Sequence, residues 1–300
     1  MALSHDSYTV IENPSLAERT SIRLGGEAIA EVRLHSIEGI EQLPGLLARI
    51  GGQVRMIGEG TNIIAASGRL PFVLLAYDSR SEPMVVDDKE DSVLVRVEAG
   101  MRLPAFLSWC ARHGLRGLEA LAGIPGSVGG AIAMNAGSYG IETGDAIRSV
   151  QIFSSATGLV EREAEDFDFS YRRCGLRGNS SDFLITAATF VLERGNGDDG
   201  RAKIREVYLK KQSSQPVSAK SAGCIFKNPA PDAPAGKLLD ETGLKGHGVG
   251  GMYFSTQHAN FMINGGSGTY EQAMELVELA QEKVRERTGL QLELEVRIWR

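Results

Sequence analysis

The alternation of apolar and polar residues predicts strands and helices distributed along the whole chain. Short apolar runs rich in β-branched and aromatic residues predict strands at residues 28–34, 54–57, 72–77, 93–98, 150–153, 159–162, 183–192, 249–255, 259–264 and 290–299. Apolar positions at helical spacing predict helices at residues 36–50, 103–113, 202–211, 235–242 and 269–288.

The last of these helices has the clearest boundaries. Thr269 and Gln272 have the spacing of a capping box, Ala273 and Val277 begin an apolar stripe, and Gly289 follows the last helical residue. A polar, glycine-rich segment at residues 193–200, ERGNGDDG, predicts a flexible domain boundary. We therefore predict one domain over residues 1–195, with two lobes that part near residue 80, and a second domain over residues 196–300.

Glycines are concentrated at residues 117–140, GLEALAGIPGSVGGAIAMNAGSYG. This stretch is apolar between its glycines, so it is not a linker, and Pro125 stiffens it. Glycine lets main chain approach a ligand, and successive N–H groups then hold an anion. We favour a cradle for a phosphate-bearing cofactor, and the alternative is a tight packing corner. Asn135, a lone amide among small residues, is expected to hydrogen-bond something buried.

A second glycine loop, GEGTN at residues 58–62, directly follows a predicted strand. Main-chain N–H groups, the Thr61 hydroxyl and the Asn62 amide are the groups that would face a pyrophosphate. The Glu59 side chain is expected to point away from it. The loop matches neither the Rossmann nor the Walker pattern, and an ordinary hairpin turn is the alternative.

Three further places carry candidate chemistry. Arg172 and Arg173 follow an aromatic run, and the local sequence alone favours a surface pair; the alternative is that one guanidinium clamps a carboxylate or phosphate. Cys224 lies on a turn after Gly223, which favours an accessible thiol over a buried one. In the alternating C-terminal segment one glutamate is a functional candidate, although such alternation usually marks a solvated face.

Composition narrows the function classes. With 42% hydrophobic and 23% charged residues the chain can bury a core, and its net charge of −6 argues against a nucleic-acid partner. Three widely spaced cysteines indicate no metal site and suit a reducing compartment. The N-terminus has no signal-peptide pattern and no apolar run reaches membrane-span length. We expect a cytoplasmic protein without membrane or nucleic-acid partners.

The motifs together resemble one family. GEGTN, GIPGSVGGAIAMNAGSYG, SYRR, SAGCIFKNPAPDAPAGKLLDETGLKG, HANFMIN and LELEV occur in this order. The set closely resembles the UDP-N-acetylenolpyruvoylglucosamine reductases of bacterial cell-wall synthesis, in their shorter class without the long insertion. The match extends over residues 19–296.

The resemblance implies an α+β flavoprotein. Its N-terminal two-lobed module of the vanillyl-alcohol-oxidase type would bind FAD non-covalently, and its C-terminal α+β domain would bind a UDP-sugar. NADPH would reduce the flavin, which would pass hydride to C3 of the enolpyruvyl group. The implied cofactor-binding residues are Gly58, Glu59, Gly60, Thr61, Asn62, Gly123, Ile124, Pro125, Gly126, Ser127, Gly129, Gly130, Ala131, Asn135, Ala136 and Gly137.

The resemblance also implies the catalytic residues. Arg172 would stabilise the enolate, Cys224 would protonate C2 from a position where most members have serine, and Glu295 would assist. The implied substrate contacts are Tyr171, Lys227, Asn228 and His258. The alternatives are an FAD-binding paralogue without reductase activity, acting as a binding or regulatory module, and an oxidase of the wider flavin fold. All three catalytic matches are present, which counts against the first, and the glycine loops contain no His or Cys flavin tether, which counts against the second.

Overall fold

A computed structural model describes residues 2–178 and 182–300 of the chain. The strands, numbered in chain order, are β1 (Ala2–His5), β2 (Tyr8–Glu12), β3 (Glu27–Leu34), β4 (Gln53–Met56), β5 (Ile63–Ala65), β6 (Arg69–Tyr77), β7 (Met84–Asp88), β8 (Val93–Glu98), β9 (Leu115–Arg116), β10 (Gly137–Ser138), β11 (Ile141–Glu142), β12 (Ile147–Ser154), β13 (Gly158–Glu163), β14 (Phe167–Ser170), β15 (Arg173–Leu176), β16 (Leu184–Arg194), β17 (Ser221–Cys224), β18 (Gly248–Val249), β19 (Met252–Phe254), β20 (Phe261–Asn264) and β21 (Arg297–Trp299). The helices are α1 (Leu16–Arg19), α2 (Glu38–Ile50), α3 (Leu103–Arg112), α4 (Val128–Ala133), α5 (Gly197–Ser214), α6 (Ala235–Glu241) and α7 (Tyr270–Thr288).

The chain forms two compact units, of which the first comprises Met1–Glu12, Ala30–Gly58 and Phe72–Lys210. One of its sheets has the strand order β1-β2-β3-β6-β4, and the other has the order β13-β12-β16-β8-β7, with β9 also paired to β16. The change from one sheet to the other along the chain falls between Tyr77 and Met84. Strand β8 illustrates how the sequence builds the core of this unit. The side chains of Val93, Val95 and Val97 point into the core, and the residues between them are half-buried.

The second unit comprises Asn13–Ile29, Glu59–Pro71 and Lys211–Arg300. It contains the sheet β17-β20-β19-β18 and the parallel pair β5 and β21. Helix α7 buries Ala273, Val277 and other apolar residues of one face, as its spacing predicts. The reciprocal Thr269–Gln272 capping box and a left-handed Gly289 at φ 75° confirm both predicted helix ends.

Two of the predicted strands are wrong in their extent. Residues 290–299 form a strand only at Arg297–Trp299, although Leu292 and Val296 are buried, because the Leu292 carbonyl is taken by the Gln281 side chain at 2.9 Å. Residues 249–255 form two strands instead of one, since the chain turns at Gly250, which has a φ of 56°.

The segment at residues 193–200, predicted to be flexible, is structured. Strand β16 extends to Arg194, the Gly195 N–H donates to the Gly114 carbonyl at 2.7 Å, and α5 begins at Gly197. A Cβ on Gly197 would lie 2.6 Å from the Ala111 carbonyl oxygen, so glycine here permits close packing. The compact units accordingly differ from the expected division at residues 195 and 196, since the first includes residues up to Lys210 and the second includes two earlier segments.

Candidate functional site

The glycine-rich stretch of the first unit forms a fixed loop that leads into α4. Gly123 and Gly126 adopt φ angles of 81° and 115°, which favour glycine. The Gly126 carbonyl accepts the Leu103 N–H at 2.9 Å, and the Val128 N–H donates to the Met101 carbonyl at 2.8 Å. Ser127 caps α4 by accepting the Gly130 N–H at 3.2 Å. The loop is therefore fixed from both sides by main-chain bonds.

The N–H groups of this loop divide into two kinds. Those of Gly129, Gly130 and Ala131 donate within the protein, to the Ala99 carbonyl and to Ser127. Those of Gly123, Gly126 and Ser127 have no protein acceptor within residues 2–178 and 182–300. These three are therefore the N–H groups of the loop that are available to a ligand such as a phosphate.

Close packing, the alternative interpretation of the glycines, accounts for Gly129 and also applies to Gly58. A Cβ on Gly129 would lie 2.8 Å from the Ala99 Cβ, so this glycine serves close packing. A Cβ on Gly58 would lie 2.8 Å from the Ser127 Oγ, so Gly58 brings its main chain close to the helix cap. Ile124 packs beside the core of the first unit, and Ala136 is buried.

The remainder of the GEGTN loop belongs to the second unit. Gly60 has a φ of 66°, and a Cβ there would overlap the carbonyl oxygen of Arg19, while the Gly60 carbonyl accepts the Ser21 N–H at 3.1 Å. The Asn62 amide donates to the Glu295 carbonyl at 3.2 Å, so it organises the C-terminal segment in addition to any ligand contact. Gly60 is the residue of this loop for which no side chain has room.

Arg172 lies in the tight turn of the β14–β15 hairpin, with a φ of 60°. Its guanidinium carbon lies 5.0 Å from the centroid of the Tyr171 ring, and its Nη1 lies 3.5 Å from the Gly137 carbonyl oxygen. Arg172 is half-buried, whereas Arg173 is exposed. Among the described residues, Asn135, Tyr139 and Arg172 are three of the five non-glycine residues at positive φ. Such conformations concentrate at functional sites, which favours Arg172 of the two arginines.

Asn135 is buried, at 1% exposure, and hydrogen-bonded as expected. Its Nδ2 donates to the Glu142 carboxylate at 2.5 Å and to the Ser170 carbonyl at 3.3 Å, and its Oδ1 accepts the Gly144 N–H at 2.9 Å. Sequence reasoning missed Glu142 and Gly144, because neither belongs to a recognisable motif. The side chain of Asn135 thus joins three segments of the first unit.

Cys224 ends strand β17 in the second unit. The pairing of β17 with β20 is irregular between Ser221 and Cys224, where Gly223 has a φ of 80° and donates its N–H to the Ser221 Oγ at 3.2 Å. The irregularity brings Cys224 opposite Phe261, with its side chain half-buried. The predicted turn is therefore wrong, because Cys224 lies at the end of a strand, although its thiol is outside the fully buried core.

The C-terminal segment runs antiparallel to the residues that follow Cys224. The Glu295 N–H donates to the Ile225 carbonyl at 2.8 Å, and the Lys227 N–H donates to the Glu293 carbonyl at 2.8 Å. The Glu293 carboxylate is exposed and pairs with the Lys227 ammonium at 3.3 Å. Glu295 is half-buried, and its N–H bonds the carbonyl of Ile225, the residue after Cys224.

The other candidate substrate residues differ in their exposure and in their hydrogen bonds. Tyr171 is 44% exposed. Asn228 accepts the Ala235 N–H at the start of α6 at 3.0 Å, which is a structural task. Burial lowers the pKa of His258, with Lys245 adding to the effect, and its Nδ1 accepts the Asn260 N–H at 3.3 Å. His258 therefore favours the neutral form.

Comparison with known proteins identifies the family. The model of the UDP-N-acetylenolpyruvoylglucosamine reductase C-terminal domain matches residues 215–299, and that of an FAD-binding domain matches residues 28–163. The chain is 52% identical over 289 residues to the UDP-N-acetylenolpyruvoylglucosamine reductase of Nitratidesulfovibrio vulgaris, covering 96% of this chain and 98% of the relative. This chain belongs to the UDP-N-acetylenolpyruvoylglucosamine reductase family.

Further comparisons agree with this assignment. The reductase of Oleidesulfovibrio alaskensis is 46% identical, with 97% of this chain and 98% of the relative covered. The crystal structure of the reductase from Thermus caldophilus is similar, with a TM-score of 0.79 and 32% identity, covering 97% of this chain and 99% of that one. The expected α+β fold of a flavoprotein reductase is thus confirmed.

FAD is the cofactor of this reductase, and the first unit offers groups that fit it. The donors of Gly123, Gly126 and Ser127 suit the pyrophosphate oxygens, and Gly58 adds main chain without a side chain. Among the described residues, no cluster of His, Cys, Asp or Glu has the arrangement of a metal site. Across the same residues, no helix has the length and hydropathy needed to cross a membrane.

Proposed function

We propose that this chain reduces the enolpyruvyl group of UDP-N-acetylglucosamine enolpyruvate to UDP-N-acetylmuramate, a step of peptidoglycan synthesis, with NADPH as the reductant and in the cytoplasm. The observation that carries the proposal is the half-buried Arg172, held at positive φ with its guanidinium beside the Gly137 carbonyl of the glycine-rich loop. Strain of this kind costs stability and persists where function requires the geometry.

The loops at residues 58–62 and 123–137 hold FAD non-covalently, through main-chain N–H groups and the small residues between them. When bound, FAD would supply the chemistry of hydride transfer from NADPH to C3 of the enolpyruvyl group. Residues 28–163, which match the FAD-binding model, would supply most contacts to the cofactor, and residues 215–299 most of those to the UDP-sugar. Tyr171, Lys227, Asn228 and His258 contact the substrate, with the neutral imidazole available as donor or acceptor.

Arg172 binds the carboxylate of the enolpyruvyl group. Its planar guanidinium donates two parallel hydrogen bonds to the two carboxylate oxygens. As C3 gains hydrogen, negative charge develops on C2 and the carboxylate, and the fixed cation stabilises that charge more than it stabilises the ground state. The Tyr171 ring limits the directions in which the guanidinium can point.

Cys224 supplies the proton that completes the reaction. The thiol gives its proton to C2, which turns the enolate into the saturated product, and solvent restores the proton afterwards. A thiol ionises far more readily than an alcohol, so it needs less help to donate. Glu295 assists the proton transfer and the stabilisation of the enolate, and the bond from its N–H to the Ile225 carbonyl supports this role by fixing its main chain beside the residue that follows Cys224.

An anaerobic titration tests the function. NADPH should bleach the flavin of the purified protein, and UDP-N-acetylglucosamine enolpyruvate should restore the oxidised spectrum with one product formed per flavin. Flavin that is bleached by NADPH but never reoxidised by this substrate would favour the paralogue without reductase activity. A protein that binds no added FAD would refute the proposal altogether.

A further inference from the structure

The side chain of Asn135 is fully engaged within the first unit, which is unusual for a residue expected to contact a cofactor. Both protons of its amide are used, one by the Glu142 carboxylate and one by the Ser170 carbonyl. Its oxygen accepts the Gly144 N–H at 2.9 Å. An amide has two donor hydrogens, so this side chain has no donor left for a ligand.

Two of the three partners are themselves fixed. The Glu142 carboxylate also accepts a main-chain N–H in the capping box with Asp145, whose side chain accepts the Glu142 N–H at 2.8 Å. A Cβ on Gly144 would lie 2.8 Å from the Phe169 ring and 3.0 Å from the Asn135 Oδ1. Asn135 is thus anchored on one side by Glu142 and packed, through Gly144, against strand β14.

The third partner connects this anchor to the proposed catalytic residue. Ser170 is the last residue of β14 and pairs with Arg173 across the base of the turn that contains Arg172. The hydrogen bond from the Asn135 amide to the Ser170 carbonyl therefore fixes the position of the first residue of this turn. At the tip of the turn, the Arg172 Nη1 lies 3.5 Å from the carbonyl of Gly137, two residues beyond Asn135.

We propose that Asn135 is a positioning residue for Arg172, and that its side chain acts on the reaction through the β14–β15 turn and not by contact with FAD. Asn135 has a φ of 39°, a conformation that Asn tolerates better than most residues. Its backbone thereby turns the amide toward Ser170. The inference rests on the proposed role of Arg172.

The primary variant is Asn135→Gly, because glycine accepts the positive φ and removes only the side chain. We expect flavin content and reduction by NADPH to remain close to wild type. Reoxidation by the enolpyruvyl substrate should slow on the order of 10²-fold, as expected when a catalytic group is displaced by about 1 Å. The KM for NADPH should not change. Thr143→Val is the matched control, since it deletes a buried hydrogen bond to the Ala136 carbonyl without touching the turn.

A double-mutant cycle separates positioning from direct action. If Asn135 acts through Arg172, the variant with both Asn135→Gly and Arg172→Ala should reoxidise as slowly as Arg172→Ala alone. Additive losses, or an Asn135→Gly protein with normal reoxidation, would overturn the inference and leave the proposed function standing. If Arg172→Ala itself reoxidises normally, the proposed role of Arg172 fails, and the positioning role fails with it.

A second variant covers the case in which Asn135→Gly does not fold. Asn135→Asp combined with Glu142→Gln reverses the polarity of the 135–142 hydrogen bond and keeps the acceptor for the Gly144 N–H. The bond to the Ser170 carbonyl is still lost, because an ionised carboxylate has no donor. We expect bound flavin and normal reduction by NADPH, with slow reoxidation. Wild-type reoxidation in this double variant would contradict the proposal.

Discussion

Gly60 offers the sharpest test of the cofactor loop, because replacing it with alanine would cost stability in two separate ways, through backbone strain and through steric overlap. Alanine there would have to adopt a φ of 66°, and its Cβ would overlap the Arg19 carbonyl oxygen. Left-handed backbone costs a residue with a Cβ roughly 1–2 kcal/mol. Forcing an extra carbon into a filled space costs about 1–3 kcal/mol more. We therefore expect Gly60→Ala to lose about 2–5 kcal/mol of unfolding free energy.

Gly68 provides a control in the same unit. It has a φ of 81°, but a Cβ there would meet no atom within 4 Å. Gly68→Ala should therefore incur only the backbone cost of roughly 1–2 kcal/mol. The difference between the two variants isolates the steric cost, and it should be about 1–3 kcal/mol.

Urea denaturation, with and without added FAD, measures both variants. Gly60→Ala should also purify with less flavin than Gly68→Ala, since the loop must shift away from Arg19 to accept the methyl group. Equal destabilisation of the two variants would refute the reasoning, because it would mean that the close approach of Gly60 to Arg19 is easily relieved. Equal flavin content despite unequal stability would separate the loop from cofactor binding.

The remaining predictions concern the proposed chemistry and one histidine. Arg172→Ala should lower turnover on the order of 10²–10³-fold with reduction by NADPH preserved, and a larger loss of reoxidation in Arg173→Ala would reverse the assignment. Cys224→Ala should accept electrons from NADPH but fail to place deuterium at C2 in deuterated water, whereas Cys224→Ser should keep measurable turnover; normal C2 labelling in Cys224→Ala would point to another donor. Because burial lowers the pKa of His258, the unfolded state binds the proton more readily, so its stabilisation is present above about pH 6.5 and is lost as the pH falls. His258→Asn should make the urea midpoint less dependent on pH. An equal pH dependence of the midpoint in the variant and in the wild-type protein would contradict this prediction.

Local patterns predicted much of the fold correctly. Residues 93–98 form a strand with the predicted bounds, and the capping box at Thr269 and Gln272 is present. These features depend on neighbouring residues, which a sequence displays directly. The C-terminal alternation predicted too long a strand for a physical reason: Leu292 and Val296 are buried by the core of the second unit, but the pairing of this segment with the residues after Cys224 is limited to an isolated bridge between Phe226 and Leu294.

The sequence predicts which residues belong to the candidate site better than it predicts the hydrogen bonds that they make. Motifs pointed to the glycine loops, Arg172 and Cys224, and Asn135 was expected to bond a buried group. Its partners Gly144 and Ser170 lie 9 and 35 residues away in sequence. Nothing in one sequence specifies pairings at such distances. The same limit explains why composition marked residues 193–200 as flexible, when their glycines permit close packing against α3 and its C-terminal turn.

The interleaved second unit has a consequence for synthesis on the ribosome. Strand β5, Ile63–Ala65, pairs with β21, Arg297–Trp299, and the Asn62 carbonyl accepts the Arg297 N–H at 2.9 Å. The residues that fix the end of the GEGTN loop are thus translated long after the loop itself. Contacts of such long sequence separation form late, so a nascent chain holds a completed first unit before this loop is complete. A variant truncated before Arg297 leaves β5 without its partner strand, so such a truncation should affect the cofactor loop as well as the segment that is removed.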